Sequence, residues 1–499
     1  MSDLQLPAPD WHAAARAVRP RTDAFIDGAF VPAADGARFA TVDPATGDVL
    51  AEVASAGAED VDRAVAAARR AFADGRWARR APADRKEVLL RLAGLVREHA
   101  DELALLDTLD AGKPIADTSS VDVPGSAAIL QWYAESADKV YGEIAPTGPD
   151  DLALVTREPL GVVAAVIPWN YPLETAVWKI APALVAGNSV VLKPAEESPL
   201  SVLRLAELAA EAGLPDGVLN VVPGSGPVTG QALGRHHDVD VLAFTGSTEV
   251  GKLFQRYAGE SNMKPTWLEA GGKSANLVFA DAADLDAVAD GVCAGIFTNS
   301  GQVCSANSRL VVHRSVKDDL LDRVVQRTAA LRPGDPLDPA TRTGPLVGER
   351  HAARVLSYIE LGRAEGRTVL DGGLLPGAPT GAYVTPAIFD GLAPDSRLAR
   401  EEVFGPVLGV FAFDTEDEGI ALANDSVFGL AASVWTDSLS RAHRTARRLR
   451  AGTVSVNTVD ALDVTTPFGG FGQSGYGRDL SLHALANYTA LKTTWVKFG

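Results

Sequence analysis

Cysteine and methionine are almost missing from this 499-residue chain, which carries two of each. Two cysteines cannot build a disulfide framework, and their scarcity suits a reducing cytoplasm. Long apolar runs are missing too. GVVAAVIPW (161–169) is among the longest, and it is far too short to span a bilayer. The opening stretch, MSDLQLPAPDWHAAARAVRPR, holds no apolar block of signal-peptide length. Positive charge is in deficit, with 46 Lys and Arg against 64 Asp and Glu and a formal charge of −18. A surface of that sign repels phosphate backbones and anionic lipids, so neither nucleic acid nor membrane is an expected partner. None of the eight histidines falls at a metal-ligand spacing, and no metal is expected.

What is present is an ordinary globular composition, 46% apolar and 22% charged. The chain is longer than one hydrophobic core usually fills, so two or three domains are expected. Val61, Val65, Ala68 and Phe72 keep helical spacing, as do Leu89, Leu92 and Val96, and residues 56 to about 115 read as helices. From Gly161 the texture changes. The strand-like runs GVVAAVI, SVVLK, VLNVV and VLAF alternate with the helix-like ETAVWKIAPALVAG, SPLSVLRLAELAAEAG and PVTGQALGRH. Such alternation predicts a parallel α/β sheet covered on both faces. A second α/β series follows Glu269, with strands expected in SANLVFA, RLVVH, AASVWT and GTVSVN. Residues 141–161 and the terminal TTWVKFG fit neither layer, and read as subunit contacts or as a hairpin packed on its own domain.

Ligands of a doubly wound sheet bind beyond the carboxyl ends of its strands. The loop PWNYP, after GVVAAVI, lacks the glycines of a dinucleotide fingerprint, and GSGPVTG spaces them one residue too widely. SVVLK runs into KPAE, which puts Lys193 and Glu196 where a ribose-binding acid belongs. A carboxylate there accepts ribose hydroxyls and repels a 2′-phosphate, favouring NAD over NADP. FTGSTEVGK runs from a strand through Thr245, Gly246 and Ser247 into a helix, offering free amides to a phosphate; an ordinary helix cap explains it equally well.

The cysteines differ in setting. Cys293 lies in the apolar DGVCAGIF, whereas Cys304 sits in FTNSGQVCSANSR among small and turn-forming residues. A thiol kept for packing belongs in the first kind of place. Cys304 is therefore the candidate nucleophile.

PWNYP, KPAE, FTGST, LEAGGKSAN, GQVCSANSR, EEVFGPV and PFGGFGQSGYGRD follow one another in a single order across more than 300 residues. Together they resemble the NAD(P)-dependent aldehyde dehydrogenase superfamily over essentially the whole chain. DKVYGE, SNMK, WLEAGGKSANLVFAD and GRDLSLHAL are most similar to its gamma-glutamyl-gamma-aminobutyraldehyde dehydrogenase branch, bacterial enzymes of putrescine breakdown.

The resemblance implies an α/β fold with a Rossmann-like cofactor domain (1–140 and 161–269). It adds an α/β catalytic domain (270–475) and a small β oligomerisation element (141–160 and 482–499). It implies oxidation of an aldehyde to the acid through a thiohemiacetal and thioester on Cys304. Glu269 would be the base, Asn170 an oxyanion donor, and Lys179 and Asp479 a proton relay in which Asp replaces the commoner Glu. The cofactor cleft would take in Ile167, Pro168, Trp169, Lys193, Glu196, Gly226 and Gly230. Phe244, Thr245, Gly246, Ser247, Gly271, Glu402 and Phe404 would complete it. The substrate tunnel would be walled by Tyr171, Glu174, Trp178, Phe297, Leu462 and Phe468, with Asp122, Asp460 and Asp463 adding negative charge. Glu174 stands where relatives have an apolar residue, so an aldehyde with an amino or amide tail is the expected substrate. Betaine aldehyde, plain aliphatic aldehydes or a catalytically retired binding role are the alternatives. A homodimer or dimer of dimers is expected.

Overall fold

Two β-sheets carry the chain, and both follow the two α/β series read from the sequence. The computed structural model describes residues 9–499; Met1–Ala8, part of the stretch tested for a signal segment, lie outside it. In the first sheet Leu219–Val221, Ser189–Lys193, Val162–Val166, Val241–Thr245 and Thr266–Glu269 lie side by side and parallel. Most of these are wholly buried Val, Ala and Leu runs, as strands covered on both faces must be. The edges are antiparallel. Ala24–Ile26 and Ala29–Val31 form one, and Gly475–Tyr476, against Thr266–Glu269, forms the other.

Strand order reverses between Val162–Val166 and Val241–Thr245. Their carboxyl ends open the crevice in which such sheets hold ligands. PWNYP and TGST leave from those two ends. The first leads into the helix Pro172–Ala186, with Pro at its start, where an N–H would be unpaired anyway, and Gly187 at φ 99° ending it.

The second sheet runs Arg367–Leu370, Ala387–Asp390, Val407–Phe413, Arg309–His313, Ala275–Val278, Ala431–Trp435 and Thr453–Val456. All pairings in it are parallel except the first.

A third sheet joins the two pieces that fitted neither layer. Thr489–Lys497 pairs antiparallel with Asp151–Pro159 over nine residues, and Glu143–Ala145 flanks the other side. Two expected boundaries move. Leu482–Asn487 is not part of the small sheet: Ala484, Leu485 and the following Tyr488 are buried in the first core. Gly475–Tyr476 and Phe468 likewise belong with the first sheet and its core. The chain's end therefore returns to the first sheet's core before it leaves as an exposed strand. Among the described residues, no helix is long and apolar enough to cross a membrane.

Candidate active site

The helix Leu285–Phe297 delivers the chain into the segment that holds Cys304. Asn299, Ser300 and Gly301 follow with φ of 48°, 55° and 75°. Left-handed backbone at two non-glycine residues costs roughly 1–3 kcal/mol each, so the surroundings must enforce it. They do. Ser300 Oγ donates to Gly344 O (2.8 Å), Asn299 Nδ2 to Asn170 O (3.1 Å), and Val347 N to Gln302 Oε1 (2.9 Å). At Gly301 a Cβ would fall 2.3 Å from Gly405, so only glycine fits. Cys304 emerges from this turn half-buried. Burial pushes its thiol well above the usual range, and the acids Asp460, Glu402 and Glu269 push the same way.

Asn170 is tied to the same turn. Its Nδ2 donates to Gln302 O (2.9 Å), which spends one of two amide hydrogens and fixes the side chain two residues ahead of the sulfur. Glycine at 272 permits the approach from the other side, since a Cβ there would lie 2.4 Å from Cys304 O.

Glu269 ends the strand Thr266–Glu269. Both carboxylate oxygens are buried without a hydrogen-bond partner, and Oε1 would meet a Cβ at Gly469 at 2.5 Å. Burial, then Asp479, raises its pKa well above the carboxylate range, while Lys179 and Arg478 pull it down. A buried acid with no partner is costly, and such groups concentrate at functional sites. Lys179 and Asp479 form a fully buried ion pair beside it. The shorter Asp479 thus reaches the lysine directly, helped by the backbone bridge that Asp479 makes with Phe468.

Around the switch point, Glu402 Oε1 accepts from Gly272 N (2.8 Å), and burial lifts its pKa to about 7. A Cβ at Gly271 would strike Glu402 Oε2 at 2.1 Å, so glycine clears that carboxylate's place. Phe404, at φ 61°, meets Trp169 edge to face at 5.3 Å. Ile167 and Pro168 lead out of the strand toward that ring. Glu196 is engaged on both oxygens, by Gly226 N (2.7 Å) and Lys193 Nζ (3.2 Å), and Gly230 packs against the lysine stem. Ser247 caps the helix Thr248–Glu260, while Thr245 Oγ1 is buried and unpartnered. Phe244 is a correction: its ring packs in the core against Phe254 and fills the space over Gly246. Sequence reading missed Val228, Val250 and Leu253, exposed apolar residues at the same end.

Tyr171, Glu174 and Trp178 lie along the start of Pro172–Ala186, with Phe468 edge to face on Trp178 at 5.3 Å. Glu174 looks toward Gly125, where a Cβ would be 3.8 Å from Oε1. Burial and Asp122 raise Glu174 to a pKa of about 8. Several expected wall residues need correction. Phe297 is wholly buried in the second domain's core, because it still belongs to the helix; its neighbour Thr298 is exposed. Asp122 does not face the tunnel: it is 1% exposed and paired with buried Lys113 at 2.6 Å. Asp463 is a loop acid capping its own turn through Thr465. Leu462 stands 44% exposed on that loop. Asp460 is exposed as a residue, but its carboxylate turns inward toward Ser305, and burial raises its pKa.

A family model described as the aldehyde dehydrogenase family matches residues 30–494. The chain belongs to the aldehyde dehydrogenase family. A curated relative, the NADP/NAD-dependent aldehyde dehydrogenase PuuC of Escherichia coli, is 54% identical over 95% of both chains. Among solved structures, an indole-3-acetaldehyde dehydrogenase complexed with NAD+ matches at TM-score 0.97 and 54% identity, covering 98% of this chain and 99% of that one. The gamma-glutamyl-gamma-aminobutyraldehyde dehydrogenase of Burkholderia cenocepacia matches at 0.96, with the same identity and coverage. This aldehyde dehydrogenase is therefore an oxidoreductase. Buried Glu269, at the end of a first-sheet strand, acts on the charge of half-buried Cys304, on the loop before the second-sheet strand Arg309–His313.

Proposed function

We propose that this aldehyde dehydrogenase oxidises an aldehyde bearing a remote amino or amide group to its acid, with NAD as cofactor. The observation that carries the substrate reading is Glu174, a carboxylate on the helix Pro172–Ala186 between Tyr171 and Trp178, the latter edge to face with Phe468. A solved structure this similar is named an indole-3-acetaldehyde dehydrogenase, after a neutral aromatic aldehyde, so we take the acid, not the rings, as the discriminating group.

Cys304 attacks the aldehyde carbon as a thiolate. Its thiol is held high by burial, so the proton must leave to a base in the same step, and Glu269 has two unpaired oxygens to receive it. The charge that develops on the aldehyde oxygen is met by the remaining Asn170 amide hydrogen and the Cys304 backbone N–H; losing one such donor costs about 3 kcal/mol. When bound, NAD supplies the hydride acceptor that turns the thiohemiacetal into a thioester. Glu269 releases the thiol's proton toward the Lys179–Asp479 pair and, a carboxylate again, draws one from the hydrolytic water. Residues fitted to the cofactor are the orphaned Thr245 hydroxyl, the capped helix start at Ser247, Glu196 at the ribose end, and Glu402 beside glycine-cleared space. Glu196 disfavours a 2′-phosphate, but Lys193 offsets part of that charge, so NADP remains a weaker cofactor.

Steady-state kinetics with 4-aminobutanal, its gamma-glutamyl conjugate, betaine aldehyde, hexanal and indole-3-acetaldehyde test the reading. Glu174→Leu should lower kcat/KM for 4-aminobutanal roughly ten- to a hundredfold, the worth of a charge-assisted hydrogen bond of about 1.5–3 kcal/mol. Hexanal should change little. Glu174 must be ionised to hold a cation and titrates near 8. The ratio of 4-aminobutanal to hexanal efficiency should therefore climb as pH rises from 6.5 to 9. Equal losses for both aldehydes, with a flat ratio, would remove the amino-substrate assignment.

We also propose a dimer or dimer of dimers, in the cytoplasm. Thr489–Lys497 leaves one backbone edge free, and Leu491 and Trp495 are exposed on it, with Phe498 just beyond its end, Ile144 on the same small sheet and Tyr141 just before that strand. A free edge with apolar side chains invites a partner strand. Light scattering at micromolar concentration should give a multiple of the 52.1 kDa chain mass, and a stable monomer would overturn this. Deleting Thr489–Gly499 should leave single chains.

A further inference from the structure

The loop 401–405, which carries Glu402 and Phe404, lies along one face of the helix Glu349–Glu365, and sequence reading passed over that face. His351, Arg354, Val355 and Tyr358 follow at helical spacing and so share it. Tyr358 Oη donates to Glu401 Oε2 (2.7 Å), and Arg354 Nη2 donates to Glu402 O (3.0 Å). Val355 packs so close to Gly405 that a Cβ there would lie 2.6 Å from its Cγ2. On its other side the loop touches the turn that presents Cys304, since no Cβ fits at Gly301 against the Gly405 backbone.

His351 makes its contact at the strained point of this loop. Phe404 has φ 61°, left-handed backbone that a bulky residue keeps only where its surroundings enforce it. His351 Nε2 lies 2.7 Å from Phe404 O. A carbonyl only accepts, so Nε2 carries the hydrogen and donates it. Burial keeps the imidazole neutral, with its pKa pushed down to about 4, and that hydrogen is then the ring's only one on nitrogen. The same ring meets Trp169 edge to face with centroids 5.2 Å apart, and lies 6.1 Å from the Phe404 ring. His351 thus grips Phe404 by its backbone and by its side chain.

We propose that His351 is a positioning residue for cofactor binding: its hydrogen bond to Phe404 O holds the loop 401–405 in the conformation that sets Glu402 and Phe404 against NAD. The proposal rests on the reading that these two residues line the cofactor cleft. Without the bond, the Phe404 backbone relaxes out of the left-handed region and the loop samples other conformations. NAD then binds only the competent fraction, and its apparent affinity falls by that fraction. Saturating NAD restores the competent loop, so the loss falls on cofactor affinity and not on kcat.

The test uses the full-length enzyme, with calorimetry for NAD affinity and steady-state kinetics with hexanal. His351→Phe keeps an aromatic ring and removes the donor. It should raise Kd for NAD about tenfold, the worth of one hydrogen bond, while kcat at saturating NAD stays within about threefold of the unaltered enzyme. His351→Gln keeps a donor near the place of Nε2 and should hold Kd within about threefold. Ring packing alone predicts the reverse order, with Phe tolerated and Gln impaired, and that order overturns the proposal. If His351→Phe does not fold, His351→Ala takes its place, and an unchanged Kd overturns the proposal. A double-mutant cycle with Phe404→Gly separates positioning from direct contact. Glycine adopts left-handed backbone without strain, so His351→Phe should add less than about threefold in that background. A full tenfold addition means that His351 acts on NAD directly, and overturns the proposal. Failure of the underlying reading looks different, because Glu402→Ala and Phe404→Leu would then leave Kd for NAD unchanged.

Discussion

Replacing Cys304 by Ala should reduce aldehyde oxidation by roughly four orders of magnitude or more, the scale seen when a covalent nucleophile is removed. The remaining thiol cannot substitute. Cys293 is buried in the second core, with its sulfur 3.7 Å from Thr328 Oγ1 and 3.8 Å from Val324 O. Two properties of the structure make the loss complete rather than partial. The turn that presents Cys304 spends its strain on a single side chain, since Asn299, Ser300 and Gly301 are all held left-handed to aim the next residues. No other group at the centre is a nucleophile of comparable softness. Alanine removes only the sulfur, and Gly272, Asn170 and the turn's hydrogen bonds stay. Affinity for NAD, followed by protein fluorescence or calorimetry, should stay within about threefold of the parent. Turnover above one percent in the purified variant would sink the covalent mechanism.

Glu269→Gln should lower kcat by about 10²- to 10⁴-fold, the contribution of a positioned general base. Glutamine keeps the size of the side chain, which matters where Gly469 leaves no slack at Oε1. What it removes is an ionisation. Burial holds the Glu269 carboxyl protonated well above the ordinary range, so in the parent enzyme the competent, deprotonated base grows as pH rises. Activity should therefore climb with pH in the parent, and the climb should flatten in Glu269→Gln. Two steps need this base. If hydrolysis suffers more, mass spectrometry of the intact chain will show it heavier by one acyl group. If thiol deprotonation suffers more, the pre-steady-state burst of NADH will shrink instead. Full activity with an unchanged pH profile would exclude Glu269 as the base.

The two α/β series were legible because each strand is covered on both faces. Such strands must be continuous apolar runs, and VVAAV, SVVLK and RLVVH are visible without any partner. Seven motifs in one order then carried the family. The edges of the sheets were not legible. Ala24–Ile26, Ala29–Val31 and Gly475–Tyr476 are three residues or fewer, and at that length a strand exists only because a neighbour offers its backbone. The small sheet shows the same limit: its two halves read as misfits that only the family resemblance joined, and their nine-residue antiparallel register was not legible.

Within the centre, residue type decided some roles and position decided the rest. A cysteine among small residues, and an acid flanked by glycines, announce chemistry in the sequence itself, because access to a reactive atom demands small neighbours. Phe297 could not be read that way. An aromatic residue suits a tunnel wall and a core equally, and only the last turn of its helix sends it inward while Thr298 meets solvent. Asp107 and Asp110 gave one unused signal, since two acids in the apolar LLDTLDA mark a buried polar cluster. Asp122 and Lys113 gave none, because a charge reads the same on a solvated loop and in a sealed pair. The sequence by itself determined the family, the layering and the candidate reacting groups. The tertiary structure decided which charges cancel, because burial sets the energy of a charge and burial is a property of neighbours distant in the chain.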